Sequence, residues 1–281
     1  MERQKRVAAV HDISGFGKCS LTVALPVISA AGIEVSVLPT AVLSAHTAVP
    51  GNIFCRDLTD DMEHFISHWD ELGLHFDAIY TGYLGSAKQA EIVCDFIDRF
   101  RQPDTLVIVD PAMADNGKMY SLFDMNFARS MLSLCQKADI IVPNITEALF
   151  LLEREYVSGP HSRDFTDELV DSLQSLCGCD VVLTGISCDE NTMAVACRTQ
   201  KAGQTEYINN SRIPGTFHGT GDVFASALTA ARLSGRTLKE SAEIAVQLTV
   251  GSIKRTAAGG TDHKYGVDFE RGLWQFADML K

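Results

Sequence analysis

Nothing in this 281-residue sequence approaches the ~20 consecutive apolar residues needed to cross a bilayer. The one apolar run near the start, Val7-Ala8-Ala9-Val10, is too short for the core of a secretory signal and follows the polar stretch Met1 to Arg6. Clusters of Lys and Arg are also missing. With a net charge of −12, the chain offers no surface suited to a nucleic-acid backbone. Eight cysteines are scattered with no CxxC; Cys177 and Cys179 form the one close pair. Zinc is therefore unsupported, and free thiols in a reducing compartment are expected. No G-x-x-x-x-G-K-[ST], G-x-G-x-x-G or G-x-S-x-G occurs, which removes the P-loop, Rossmann and nucleophile-elbow mechanisms. There is no Pro/Ser-rich linker, low-complexity tract or internal repeat, so one domain over 1–281 is the simplest expectation. Together these absences predict a soluble cytoplasmic protein that binds neither membrane nor nucleic acid.

What is present is ordinary globular composition, 46% hydrophobic and 21% charged. Short apolar runs at Val7–Val10, Val35–Leu38, Ala78–Tyr80, Leu106–Val109, Ile140–Val142 and Val181–Leu183 read as buried strands. Helical patterns lie between them, roughly at 18–31, 57–72, 87–101, 121–136, 145–154 and 165–177. This alternation predicts an α/β fold: a mostly parallel sheet with helices on both faces. After Thr184 the pattern changes. Met193–Cys197 and Thr205–Ile208 flank the turn 201–204 and predict a small antiparallel edge. Helices over about 219–233, 238–255 and 268–280 complete the chain.

Function in such sheets gathers beyond the C-terminal ends of the strands. Gly219-Thr220-Gly221-Asp222 precedes an apolar helical run. Small residues there let backbone N–H groups at a helix N-terminus face an anion. Asp222 then suits a base that takes a proton from an attacking hydroxyl; the plainer reading is a helix cap. An acidic chain can still hold phosphate through such N–H groups or through Mg²⁺. Asp110 and Asp115 flank a Pro turn after one strand; Asn144 and Glu147 follow another. Hard oxygen ligands at neighbouring strand ends suit Mg²⁺, whereas Asn144 with Glu147 also has the spacing of a capping box. Tyr83, between Gly82 and Leu84-Gly85, offers a face to a flat ring or packs internally. His46, in Ser44-Ala45-His46-Thr47, offers a titratable group on a segment that could cross the site.

These motifs, in this order, resemble the pyridoxal kinases of the ribokinase superfamily over nearly the whole chain. Val42-Leu43-Ser44-Ala45-His46-Thr47 is similar to the family's V-Q-F-S-N-H-T, and Thr81-Gly82-Tyr83-Leu84-Gly85 to its T-G-Y-x-G. Asp110-Pro111-Ala112-Met113-Ala114-Asp115 resembles D-P-V-M-G-D, Pro143–Ala148 resembles P-N-x-x-E-A, and Gly219–Asp222 resembles G-x-G-D. The resemblance implies a three-layer ribokinase-like fold and ATP-dependent phosphorylation of the 5′-hydroxymethyl group of a vitamin B6 vitamer. It implies Asp222 as the base and Gly219, Thr220 and Gly221 as the anion hole. Asp110, Asn144 and Glu147 would serve Mg²⁺–ATP, with Asp110 and Glu147 nearest the metal. Thr184, Gly185 and His218 would line the nucleotide. Tyr83 would stack on the pyridine, with Asp12, Ser14, His46 and Thr47 around it. A homodimer using Mg²⁺, aided by K⁺, is implied as well.

Two departures stand out. Ala45 replaces the family Asn, and His11-Asp12 replaces Gln-Ser. Asp12-Ile13-Ser14-Gly15 instead resembles the D-x-S-G of hydroxymethylpyrimidine kinases, a sister family that forms the nearest alternative. A catalytically silent B6- or nucleotide-binding protein is the alternative from another class; the retained Asp222 speaks against it. A metal-dependent hydrolase would need a His/Asp cluster that the sequence does not supply.

Overall fold

A computed structural model describes residues 3–121, 123–201, 203–260 and 262–281. Eleven strands and nine α-helices alternate along these residues. Strands β1 (Arg6–Ser14), β2 (Glu34–Leu43), β3 (Cys55–Asp57), β4 (Ala78–Thr81), β5 (Leu106–Val109), β8 (Ile140–Ile141), β9 (Asp180–Ser187), β10 (Thr192–Arg198) and β11 (Glu206–Ser211) form a nine-stranded sheet. Its order is β11-β10-β9-β8-β5-β4-β1-β2-β3. The six inner strands from β9 to β2 run parallel; β10, β11 and β3 are antiparallel to their neighbours.

Strand periodicity separates two cores. Ala8, Val10, Val107, Val109, Val181 and Leu183 face one side. They pack under α2 (Thr59–Glu71), α3 (Ala87–Phe100), α4 (Met125–Cys135), α5 (Ile145–Leu151) and α6 (Arg163–Cys177). Val7, Ile108 and Val182, the alternate positions, face the other. There they meet α1 (Leu21–Ala30), α7 (Thr220–Leu233), α8 (Leu238–Gly259) and α9 (Leu273–Met279). Every residue of α7 from Val223 to Ala231 is buried, so this helix is wedged between the sheet and α8. The three-layer fold expected from the sequence is therefore observed.

The differences lie at boundaries. The stretch at 18–20 is not helical: Ser20 adopts φ 51°, and α1 starts at Leu21. Residues 55–57, assigned from sequence partly to a helix, pair instead with the end of β2 and tie down the 44–54 loop. A second, two-stranded sheet joins β6 (Ala114–Asp115) to β7 (Lys118–Met119). The sequence reading had no hairpin here, although Asn116-Gly117, both at positive φ, is the residue pair a tight hairpin turn demands. Near the C-terminus the helix expected over 268–280 shortens to Leu273–Met279 after a 3₁₀ turn. Position 122 of the expected helix 121–136 and position 202 of the expected turn 201–204 lie outside the described residues. Among the described residues, no helix is long and apolar enough to cross a membrane.

Candidate active site

The strand ends after β1, β2, β4, β5, β8 and β9 open with the N-terminus of α7 onto one cavity of about 1100 Å³. Every site residue nominated from the sequence lines this cavity: Asp12, Ser14, His46, Thr47 and Tyr83, together with Thr184, Gly185 and His218. Asp110, Asn144, Glu147 and Gly219–Asp222 line it as well.

Gly219 holds the turn. It sits at φ 74°, and a Cβ there would fall 2.0 Å from the Lys18 carbonyl oxygen. No side chain caps α7, so its first-turn N–H groups have no side-chain acceptor and stay available to an anion. The plain capping account of Asp222 is not met, since Gly219 stands at the N-cap. Asp222 is half-buried and lines the cavity. Burial lifts its pKa to about 7; the Ser20 amide opposes the lift and nearby Asp12 adds to it. Such a value suits a base operating near neutrality.

Ser20 was not singled out from the sequence. Its hydroxyl favours ionised Asp12 and its amide favours ionised Asp222, so one residue serves both carboxylates. Ser20 makes no side-chain cap for α1 and holds φ at 51°, a backbone that costs about 1 kcal/mol or more.

Toward the phosphate side, a Cβ on Gly221 would lie 4.0 Å from Asp110 Oδ2, which brings the end of β5 against the α7 turn. The capping box is complete: Glu147 N donates to Asn144 Oδ1 at 3.0 Å, and Asn144 N donates to Glu147 Oε2 at 2.9 Å. Met113 N donates to Glu147 Oε1 at 3.2 Å, and Asn144 Nδ2 donates to the Ala114 carbonyl at 2.8 Å. Capping and metal service are thus compatible, because the cap fixes where the carboxylate sits. Burial pushes Glu147 up to about 8 against these three-sided backbone bonds. It pushes Asp110 well above the carboxylate range too, with Glu147 and Asp222 adding like-charge repulsion. Two buried carboxylates without a protein cation fit a divalent ion. Among the described residues no group of three or more His, Cys, Asp or Glu side chains forms a metal cage. A pair of carboxylates suits an ion that keeps waters and shares phosphate ligands.

At the ring end, Asp12 is 4% exposed and accepts from Ser14 Oγ at 3.0 Å. Tyr83 packs at a tilt on Phe123, with 5.4 Å between ring centroids, and still lines the cavity. Its phenol is raised to about 12, by burial first and by Asp12 next. His46 is wedged against Gly17, where a Cβ would meet its ring at 2.2 Å, and lies 5.6 Å from the His218 ring. That contact joins the 44–54 loop to the segment before α7. Burial lowers both imidazoles, which leaves them neutral donors or acceptors. Ser44 faces away and takes the Phe54 N–H at 3.0 Å, holding the loop. His11 is not a site residue: it is fully buried, lowered to about 3 by burial, and packs where any Gly82 side chain would collide at 2.4 Å.

The cavity wall also includes residues that carried no sequence signal: Tyr120, Arg212 and Phe217, and Thr249 and Val250 from α8. Their contribution depends on long-range packing. Thr184 joins the same wall through its amide, which donates to the Pro143 carbonyl at 2.9 Å.

Comparison with known proteins agrees with this geometry. The sequence profile of the phosphomethylpyrimidine kinase family matches residues 63–266. A crystal structure from Bacteroides thetaiotaomicron, described provisionally as a phosphomethylpyrimidine kinase and containing pyridoxal, is 38% identical with a TM-score of 0.93, covering 98% of this chain and 96% of that one. Pyridoxal kinase from Lactobacillus plantarum is 29% identical with a TM-score of 0.91, covering 99% and 98%. The pyridoxine/pyridoxal/pyridoxamine kinase of Bordetella avium is 27% identical over 260 residues, 89% of this chain and 85% of its own.

Proposed function

The chain belongs to the phosphomethylpyrimidine kinase family, and from that premise we propose that it transfers the terminal phosphoryl group of ATP to the 5′-hydroxymethyl group of a vitamin B6 vitamer. The observation that carries this reading is Asp222 standing in the uncapped first turn of α7, with Asp110 across from it. Asp222 takes the hydroxyl proton as its oxygen attacks phosphorus and the bond to ADP breaks. The N–H groups of Gly219, Thr220 and Gly221 receive the charge on the transferring group. Tyr83 supports the ring while Thr47 and His46 close over it; Asn144, Thr184, Gly185 and His218 line the nucleotide. Asp110 and Glu147 would hold Mg²⁺, which when bound would supply positive charge to the phosphates.

The chain's acidity makes the metal essential in this reading: among the described residues the cavity walls carry Asp12, Asp110, Asp115, Glu147, Glu190 and Asp222 against the one cation Arg212. K⁺ is expected to raise the rate further. The protein is read as a cytoplasmic homodimer in a single domain; free cysteines support the compartment, and exposed Phe16 and Phe54, 54% and 67% accessible near the β2–β3 edge, support a partner surface.

Purified protein with Mg²⁺–ATP should convert B6 vitamers to their 5′-phosphates in an ATP-consumption assay. Hydroxymethylpyrimidine belongs in the same panel, because Asp12-Ile13-Ser14-Gly15 favours it as a second reading. Brisk turnover of hydroxymethylpyrimidine with none of any B6 vitamer refutes the first reading in favour of the second.

A further inference from the structure

Asp12 presents a problem that the proposed reaction does not solve. A carboxylate removed from water needs a cation or several donors, since its desolvation costs several kcal/mol. Asp12 is 4% exposed and takes the Ser14 hydroxyl at 3.0 Å, yet among the described residues no cationic side chain pairs with it. Among the described residues lining the cavity Arg212 is the one cation, and it is engaged elsewhere, donating to Ser187 Oγ at 2.7 Å and to Met193 Sδ at 3.4 Å. Lys18 is turned to Glu270 at 2.8 Å and to the ring of Phe269. His46 and His218 are held neutral by burial. The missing partner of Asp12 therefore belongs to the ligand.

Position narrows what that partner is. β1 and β4 pair side by side with Val10 opposite Thr81, which brings Asp12 beside Tyr83, and both line one cavity with Asp222, where the hydroxymethyl group reacts. Asp12 thus faces the same ligand as the base and the ring platform. The ring substituent nearest a hydroxymethyl group is the one on the adjacent ring carbon. In pyridoxamine that substituent is an aminomethyl group, cationic at neutral pH. In pyridoxine it is a neutral alcohol, and in pyridoxal a formyl group whose carbonyl oxygen repels a carboxylate.

Resting on the B6-kinase reading above, we propose that Asp12 selects amine substrates, its carboxylate receiving the ammonium group beside the reacting hydroxymethyl, so that pyridoxamine is the preferred vitamer. A charge-assisted hydrogen bond gained by one substrate and denied to another separates them by roughly ten- to a hundredfold.

The test is the ratio of kcat/KM for pyridoxamine to that for pyridoxal, measured on one preparation so that the active fraction cancels. The wild-type protein should favour pyridoxamine by about tenfold or more. Asp12→Asn keeps the shape and removes the charge; Asp12→Ser removes the carboxylate altogether. Both should lower the ratio at least tenfold, whatever happens to the absolute rates. An unchanged ratio, with every vitamer slowed equally, would mean that Asp12 serves the ring nitrogen or phenol common to all three, and overturns the inference while leaving the B6-kinase reading intact. A wild-type preference for pyridoxal overturns it likewise. No turnover of any vitamer removes the B6-kinase reading and this inference with it.

Discussion

Replacing Gly219 with Ala tests whether the α7 turn is built for an anion and held by its neighbours. At φ 74° an L-residue pays roughly 1–2 kcal/mol for the left-handed conformation. The larger effect is steric: the new methyl would sit 2.0 Å from the Lys18 carbonyl oxygen, so turn and loop must separate by about 1 Å to reach the closest approach real side chains make. Lys18 cannot retreat freely. Its amide donates to the Tyr265 carbonyl at 2.9 Å, and it already crowds Gly266, where a Cβ would stand 2.6 Å from its own. The turn therefore moves, carrying the N–H groups of Thr220 and Gly221 away from the phosphoryl position. A displacement of that size in a catalytic constellation costs on the order of 10²-fold in kcat. Gly235→Ala is the control: φ is 84°, and nothing lies within 4 Å of the added methyl. It shares the backbone penalty without the collision. Steady-state kcat by ATP consumption, with chemical denaturation on the same samples, separates the two. We expect both variants to lose stability by about 1–2 kcal/mol and only Gly219→Ala to lose about two orders of magnitude in kcat. Equal kcat in the two variants would refute the claim that this close approach positions the anion hole.

Two further outcomes follow from the electrostatics. Asp222→Asn should lower kcat by about 10²–10⁴-fold while calorimetry finds ATP binding nearly unchanged; a variant with wild-type kcat would remove Asp222 from the base role. Asp222 and Glu147 hold their protons more tightly folded, to about 7 and about 8, than their ordinary values of 3.8 and 4.5. Their contribution to stability is thus fully present at pH below about 4 and is lost as pH rises through 7 and 8. In EDTA, unfolding free energy should fall across that window, and Glu147→Gln should flatten part of the fall; a flat wild-type profile from pH 5 to 8 contradicts the assigned burial.

The layer order was legible in the sequence because parallel strands buried on both faces write themselves as short, continuous apolar runs, and these runs located β1, β2, β4, β5, β8 and β9. The candidate site was legible for a related reason: in such a sheet the residues just after each strand converge, so Asp110, Asn144, Thr184 and the Gly219 turn could be grouped before any coordinates. Local capping chemistry, as in Asn144 with Glu147, is readable because its partners are three residues apart. The Asn116-Gly117 turn was equally local and was passed over.

Long-range approach is a different matter. The collision that makes Gly219 obligatory comes from Lys18, 201 positions away in sequence. The contact between His46 and His218 joins two loops that no periodicity links. That Ser20 lines the same cavity as Asp12 and Asp222 is invisible until β1 and α7 are side by side. The sequence by itself determined the two helix layers, the edge of the sheet that carries chemistry and the residue types gathered there, since each follows from periodicity or neighbouring residues. Only the tertiary structure decided which carboxylates lose their water, which lack a cation and how closely the turn is held, because burial and charge are sums over residues that the chain brings together from far apart.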